Sequence, residues 1–78
     1  VKINYRDLRD ARVTAGVPLA QAGRVIGVSG SYVSHVEAGR RELAPEQAER
    51  LRAFLAAALR RRAEQAEALA DTLSSAQH

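Results

Sequence analysis

The chain has 78 residues, 46% of them apolar and 4% aromatic, with a formal net charge of +3. That is one small domain with a limited core, short enough to gain stability by pairing with a second copy. With no cysteine it has no disulfide and no thiolate metal site; its longest apolar run, residues 53–59 (AFLAAAL), is far short of the ~20 residues a membrane helix needs.

Helices with clear punctuation are predicted along the whole chain, and no strand pattern is visible. Asn4 caps a first helix with Asp7 in its first turn, and Gly16 ends it. Pro18 suits the first turn of a second helix that runs to about Ile26. Gly27 makes a turn, Ser29 caps a third helix over residues 30–38, and Gly39 closes it. Pro45 opens a fourth helical stretch, with Glu46 and Glu49 near its start, and nothing breaks its pattern as far as Leu73.

The second and third helices carry the main functional clue. Ala22, Ile26, Val28, Val33 and Val36 are apolar positions that can face one core across a short turn at Gly27. Gly23 supplies a small residue where the two helices can cross closely. This is helix-turn-helix spacing. It leaves Ser29, Gly30, Ser31, Ser34 and His35 on the outer face of the third helix, where short polar side chains can enter a major groove. Charge agrees with that placement. Residues 1–44 hold seven basic side chains against four acidic ones, residues 45–78 hold five of each, and no acid occurs between Asp10 and Glu37. A phosphate backbone is attracted to such a surface.

Three stretches, LRDARVTAG, GRVIGVSGSYVSHVEAGRR and LAPEQAERLRAFL, resemble the helix-turn-helix family of phage Cro proteins and phage repressors, the XRE-like family. The resemblance covers about residues 8–59, and the run GVSxSYVSxxExGRR is its most specific part. It implies an all-α fold, a compact bundle of four to five helices, that binds double-stranded operator DNA as a homodimer. It also implies roles for single residues. Gly30, Ser31 and His35 fall where members touch base edges, with Ser34 beside them, while Ser29 falls near phosphates or the groove wall. Tyr32 falls where a bulky side chain packs on the DNA backbone or on the domain. Arg12 and Glu37 match an ion pair between the first and third helices whose arginine also lies near a phosphate, and Arg40 and Arg41 match phosphate-contacting residues after the recognition helix.

Two positions depart from the family pattern. Where many members have Thr-Gln and the glutamine clamps a phosphate, this chain has Pro18 and Leu19, which offer no such donor. Where Arg or Gln is common it has Gly30, which has no side chain with which to read a base. Direct readout then rests on Ser31, Ser34 and His35, none of them a bidentate reader, so DNA shape and paired half-sites carry part of the specificity.

The chain divides at this level into a DNA-binding domain, residues 1–59, and a helical extension, residues 60–78. Leu51, Leu55 and Leu59 cover the bundle; Ala66, Leu69 and Leu73 continue a thin apolar stripe that Arg62 interrupts. Leu59, Ala66, Leu69 and Leu73 are the expected dimerisation positions, and packing back on the domain is the other arrangement open to them. Nothing supports catalysis. His35 and His78 are the only histidines, and Ser34 beside His35 is no dyad because helix neighbours point apart. The expectation is a cytoplasmic transcriptional regulator, a repressor or Cro-like protein, that is not an enzyme and has no cofactor, metal or membrane partner. Alternatives are a restriction–modification controller, or an antitoxin whose C-terminal helix takes a protein partner.

Overall fold

A computed structural model describes residues 4–76. Lys2, His78 and the outer ends of the segments 1–59 and 60–78 lie outside the described residues. Within them are four helices: α1 (Tyr5–Ala15), α2 (Leu19–Ile26), α3 (Gly30–Glu37) and α4 (Pro45–Ala76). Among the described residues there is no strand.

The helix ends follow local chemistry. Asn4 Oδ1 accepts the Arg6 amide at 2.9 Å, and Ser29 Oγ accepts the Tyr32 amide at 3.1 Å, so α1 and α3 each start on a side-chain cap. Pro18 lies one position earlier than the first turn predicted for it. Its ψ of 154° is extended, and its carbonyl accepts the Ala22 amide at 3.1 Å, which makes it the N-cap of α2. α3 stops at Glu37, one residue short of the predicted end; Ala38 is its C-cap and Gly39 follows with a φ of 80°. At the head of α4, Gln47 Oε1 accepts the Ala44 amide at 3.0 Å while its Nε2 donates to the Ile26 carbonyl at 3.3 Å. One side chain thus starts α4 and ties it to the end of α2.

α2 and α3 pack closely on each other, α1 spans α3 and α4, and α2 rests on α4. The centre is sealed: Ala22 and Leu51 are 0% exposed and Val33 1%. Val36, Ile26, Leu8 and Leu55 are buried around them, and Leu59 packs half-buried at the edge. The bundle ends there, but α4 does not. Every described residue from position 60 onward is exposed, and the helix passes the 59–60 boundary without interruption. The molecule is accordingly 53 Å long and about 20 Å thick. Among the described residues, the part of α4 beyond Arg62 stands clear of its own domain. No described helix is both long and apolar enough to cross a membrane.

Gly23 and Gly27 shape the turn in different ways. A Cβ on Gly23 would collide with the Val28 carbonyl oxygen and stand 2.9 Å from the Ser29 carbonyl carbon. The close approach is therefore between α2 and the backbone leading into α3, rather than between two helix flanks. Gly27 has open space around it and a φ of 77°, which L side chains adopt only at a cost. Gly23→Ala should cost at least 1–3 kcal/mol, roughly the range for overpacking, and Gly27→Ala about 1 kcal/mol from backbone strain. Urea denaturation of the two variants checks the order; a better tolerated Gly23→Ala would contradict this packing.

Candidate nucleic-acid interface

Helical spacing divides α3 into two faces. Val33 and Val36 point into the core, while Ser31, Ser34 and His35, spaced by three and four residues, lie exposed on the other side. Gly30 stands apart from these three. A Cβ there would lie 3.1 Å from the Ala20 amide nitrogen and 3.2 Å from the Leu19 carbonyl carbon, so its side-chain direction faces α2. A larger residue here would press on the start of α2, which would have to give by a few tenths of an ångström. Glycine lets the two helices close together and gives the outer face no reading group.

The two ends of α3 are fixed by hydrogen bonds. Ser29 is exposed and its oxygen is the cap acceptor. After the helix the Arg40 amide donates to the His35 carbonyl at 2.9 Å, and the Tyr32 hydroxyl donates to the Glu42 carbonyl at 2.8 Å. Tyr32, half-buried against the core, therefore packs on its own domain and ties down the loop that carries Arg40 and Arg41. Both arginines are exposed.

Arg12 belongs with the interior. Its Nε donates to Glu37 Oε2 at 2.6 Å, Nη2 to Glu37 Oε1 at 3.1 Å and Nη1 to the Val17 carbonyl at 3.0 Å. The two side chains are only 13% and 6% exposed. This fork-on-fork pair joins α1, the α1–α2 connection and the end of α3. Each Arg12 nitrogen donates to an intramolecular partner, which gives this arginine a structural role in the domain.

The same pair shapes the surface charge. Glu37 is the single acid within residues 11–41, and its carboxylate is sequestered on Arg12. Across the helix-turn-helix unit and the start of its loop, exposed charge is then Arg24, Arg40 and Arg41, with no exposed carboxylate.

Sequence reasoning missed the placement of two side chains beside this unit. Gln47 could have been found as the Gln of a capping box, three residues after Ala44. Arg62 lies against Gly16, whose Cβ, if it had one, would overlap the guanidinium. That places a cation at the C-terminal end of α1, where the helix dipole favours one. Spacing gave no sign of it, because Arg62 reads only as a break in an apolar stripe.

A family model described as a helix-turn-helix domain, of the XRE-like type, matches residues 6–67, and the chain belongs to that family. The domain marks it as a DNA-binding regulator, on a fold that is typically non-enzymatic. No curated protein and no solved structure matched the chain.

Glu37→Ala would leave the part-buried Arg12 guanidinium without its counter-ion, a change worth about 1–3 kcal/mol of stability. Urea melts of Arg12→Ala, Glu37→Ala and the double variant should show a coupling of at least ~1 kcal/mol, and zero coupling would dismiss the pair. Tyr32→Phe should cost about 1 kcal/mol while leaving α3 in place. Amide exchange should then quicken at Arg40 and Arg41, and unchanged exchange would free the loop of any dependence on Tyr32.

Proposed function

We propose that the protein is a repressor or Cro-like regulator that binds a two-fold-symmetric operator as a homodimer in the cytoplasm. The observation that carries this reading is the surface of residues 11–41: small polar groups on α3, exposed arginines beside them, and the one carboxylate turned inward. In this reading Ser31, Ser34 and His35 meet base edges, and Ser29, Arg40 and Arg41 meet the backbone. Gly30 serves the approach of α2 to α3, Tyr32 positions the loop, and Arg12 acts through Glu37. Leu59, Ala66, Leu69 and Leu73 form the contact between two copies. A restriction–modification controller or an antitoxin would share the DNA surface and differ in what covers α4.

Phosphate contacts release counterions and carry no base information, whereas base-edge contacts do the reverse. Arg41→Ala should therefore weaken operator and scrambled DNA by similar factors and flatten the log–log salt slope by about one unit per subunit. Ser31→Ala and His35→Ala should lower operator affinity more than scrambled affinity, with a smaller change of slope. Fluorescence anisotropy across a salt series, on duplexes obtained by selection from random sequence, measures both. If Arg41→Ala affected operator DNA alone, or the α3 variants kept the full specificity ratio, α3 would not be the reading helix.

A further inference from the structure

We propose that Tyr5 is a positioning residue for the phosphate contacts of Arg40 and Arg41, and that the loop carrying them is preformed by a grip at both ends; this rests on the DNA-binding reading above. The chain has two tyrosines and no tryptophan, and both tyrosines touch this loop. Tyr32 holds its exit, where the hydroxyl donates to the Glu42 carbonyl at 2.8 Å. Tyr5 stands at its entrance. A Cβ on Gly39 would lie 3.6 Å from Tyr5 Cδ2 and 3.7 Å from Cε2, so the edge of the ring covers Gly39 at ordinary contact distance.

The grip matters because of what lies between. Gly39 has a φ of 80° and immediately precedes the two arginines. Glycine has no side chain of its own to pack and gains more backbone freedom than any other residue when released. The Gly39 amide donates to the Val36 carbonyl and the Arg40 amide to the His35 carbonyl, both at 2.9 Å. The Arg41, Glu42 and Leu43 amides have no such bond among the described residues. The segment therefore depends on side chains: the ring of Tyr5 before it, and the Tyr32 hydroxyl and the packed Leu43 after it. Without the ring, rotation at Gly39 would carry both guanidiniums with it.

Tyr5 is itself fixed. It is the first residue of α1 and is half-buried against the core, and Asn4 caps its turn by accepting the Arg6 amide. Further along α1, Arg12 is bonded to Glu37, the last residue of α3. Thus α1 meets the end of α3 twice, at Glu37 and at Gly39 two residues on. The first contact joins helices. The second orders the segment that bears the two exposed arginines. Holding this segment in advance removes the ordering cost that a loose loop would incur on meeting a phosphate strand.

The two tyrosines should respond differently to loss of the hydroxyl. Tyr5 makes its contact through ring carbons, so Tyr5→Phe should bind DNA as tightly as the unmodified chain, unlike Tyr32→Phe, which loses the bond to Glu42. Tyr5→Ala should weaken operator and scrambled duplexes alike, by roughly two- to tenfold, the cost of ordering one rotamer-rich side chain at an interface. Fluorescence anisotropy, at a salt concentration low enough for every chain to bind, compares Tyr5→Ala, the double variant Arg40→Ala/Arg41→Ala and the triple variant. Without the arginines Tyr5→Ala should have no further effect, because the ring acts only through them. A loss of folded fraction would instead lower binding by the same factor in both backgrounds. That outcome overturns the proposal, as would full affinity of Tyr5→Ala, or Tyr5→Phe as weak as Tyr5→Ala. Where Tyr5→Ala melts below the assay temperature, Tyr5→Leu, which keeps an apolar group towards the core without the flat ring, takes its place in every comparison. Full affinity of the double variant would overturn the reading of Arg40 and Arg41 as backbone contacts, and the role of Tyr5 with it. No binding by the unmodified chain would overturn the DNA-binding reading itself.

Discussion

Glu37 closes the last turn of α3, and its carboxylate faces Arg12 across the interior. The rest of the arrangement depends on that contact in two ways. The guanidinium also reaches the Val17 carbonyl, so a single side chain on α1 fixes the entrance to α2 and the exit from α3. A four-helix domain whose core is built from alanine, valine and a few leucines has little apolar area with which to orient short helices. A two-pronged ion pair adds direction where hydrophobic burial has none. The contact also removes the one negative charge that would stand at the end of α3, which leaves the outer face of the unit polar and basic.

Most of the fold was legible because its boundaries are local. Asn4 and Ser29 cap helices with their own side chains, the turn glycines have positive φ, and the i, i+3, i+4 spacing of Val33, Val36 and Glu37 marks the inner face of α3. These are decided within a few residues of chain. What was not legible depends on approach between distant segments. Gly30 reads from sequence as a blank on the recognition face, and only the nearness of Leu19 and Ala20 shows that its side-chain direction is towards α2. Tyr32 left two packings open, and its hydroxyl is engaged by a carbonyl ten residues on. Gln47 and Arg62 act across the bundle on Ile26 and Gly16, where periodicity carries no signal.

Composition divides the chain into residues 1–59 and 60–78, at the point where the apolar stripe thins. The backbone has no matching joint. After Pro45 there is neither glycine nor proline, α4 is hydrogen-bonded to α2 at its root, and the family match runs on to residue 67. The extension is part of the element that underlies the helix-turn-helix unit, so its direction in space is set by the same contacts that set the direction of α3.

An uninterrupted helix half inside and half outside a bundle has a graded order. Helix formation is limited by its first turn, and the alanine-rich tail alone would be marginal at this length. Here the nucleus already exists in the packed turns around Leu51 and Leu55, and the outer turns only propagate from it. Protection of the backbone amides should fall steadily along α4 with distance from the core, without a step at any linker. Whatever grips the tip stabilises the weakest turns first, and the helix carries that gain inward as stiffness towards the domain that faces DNA.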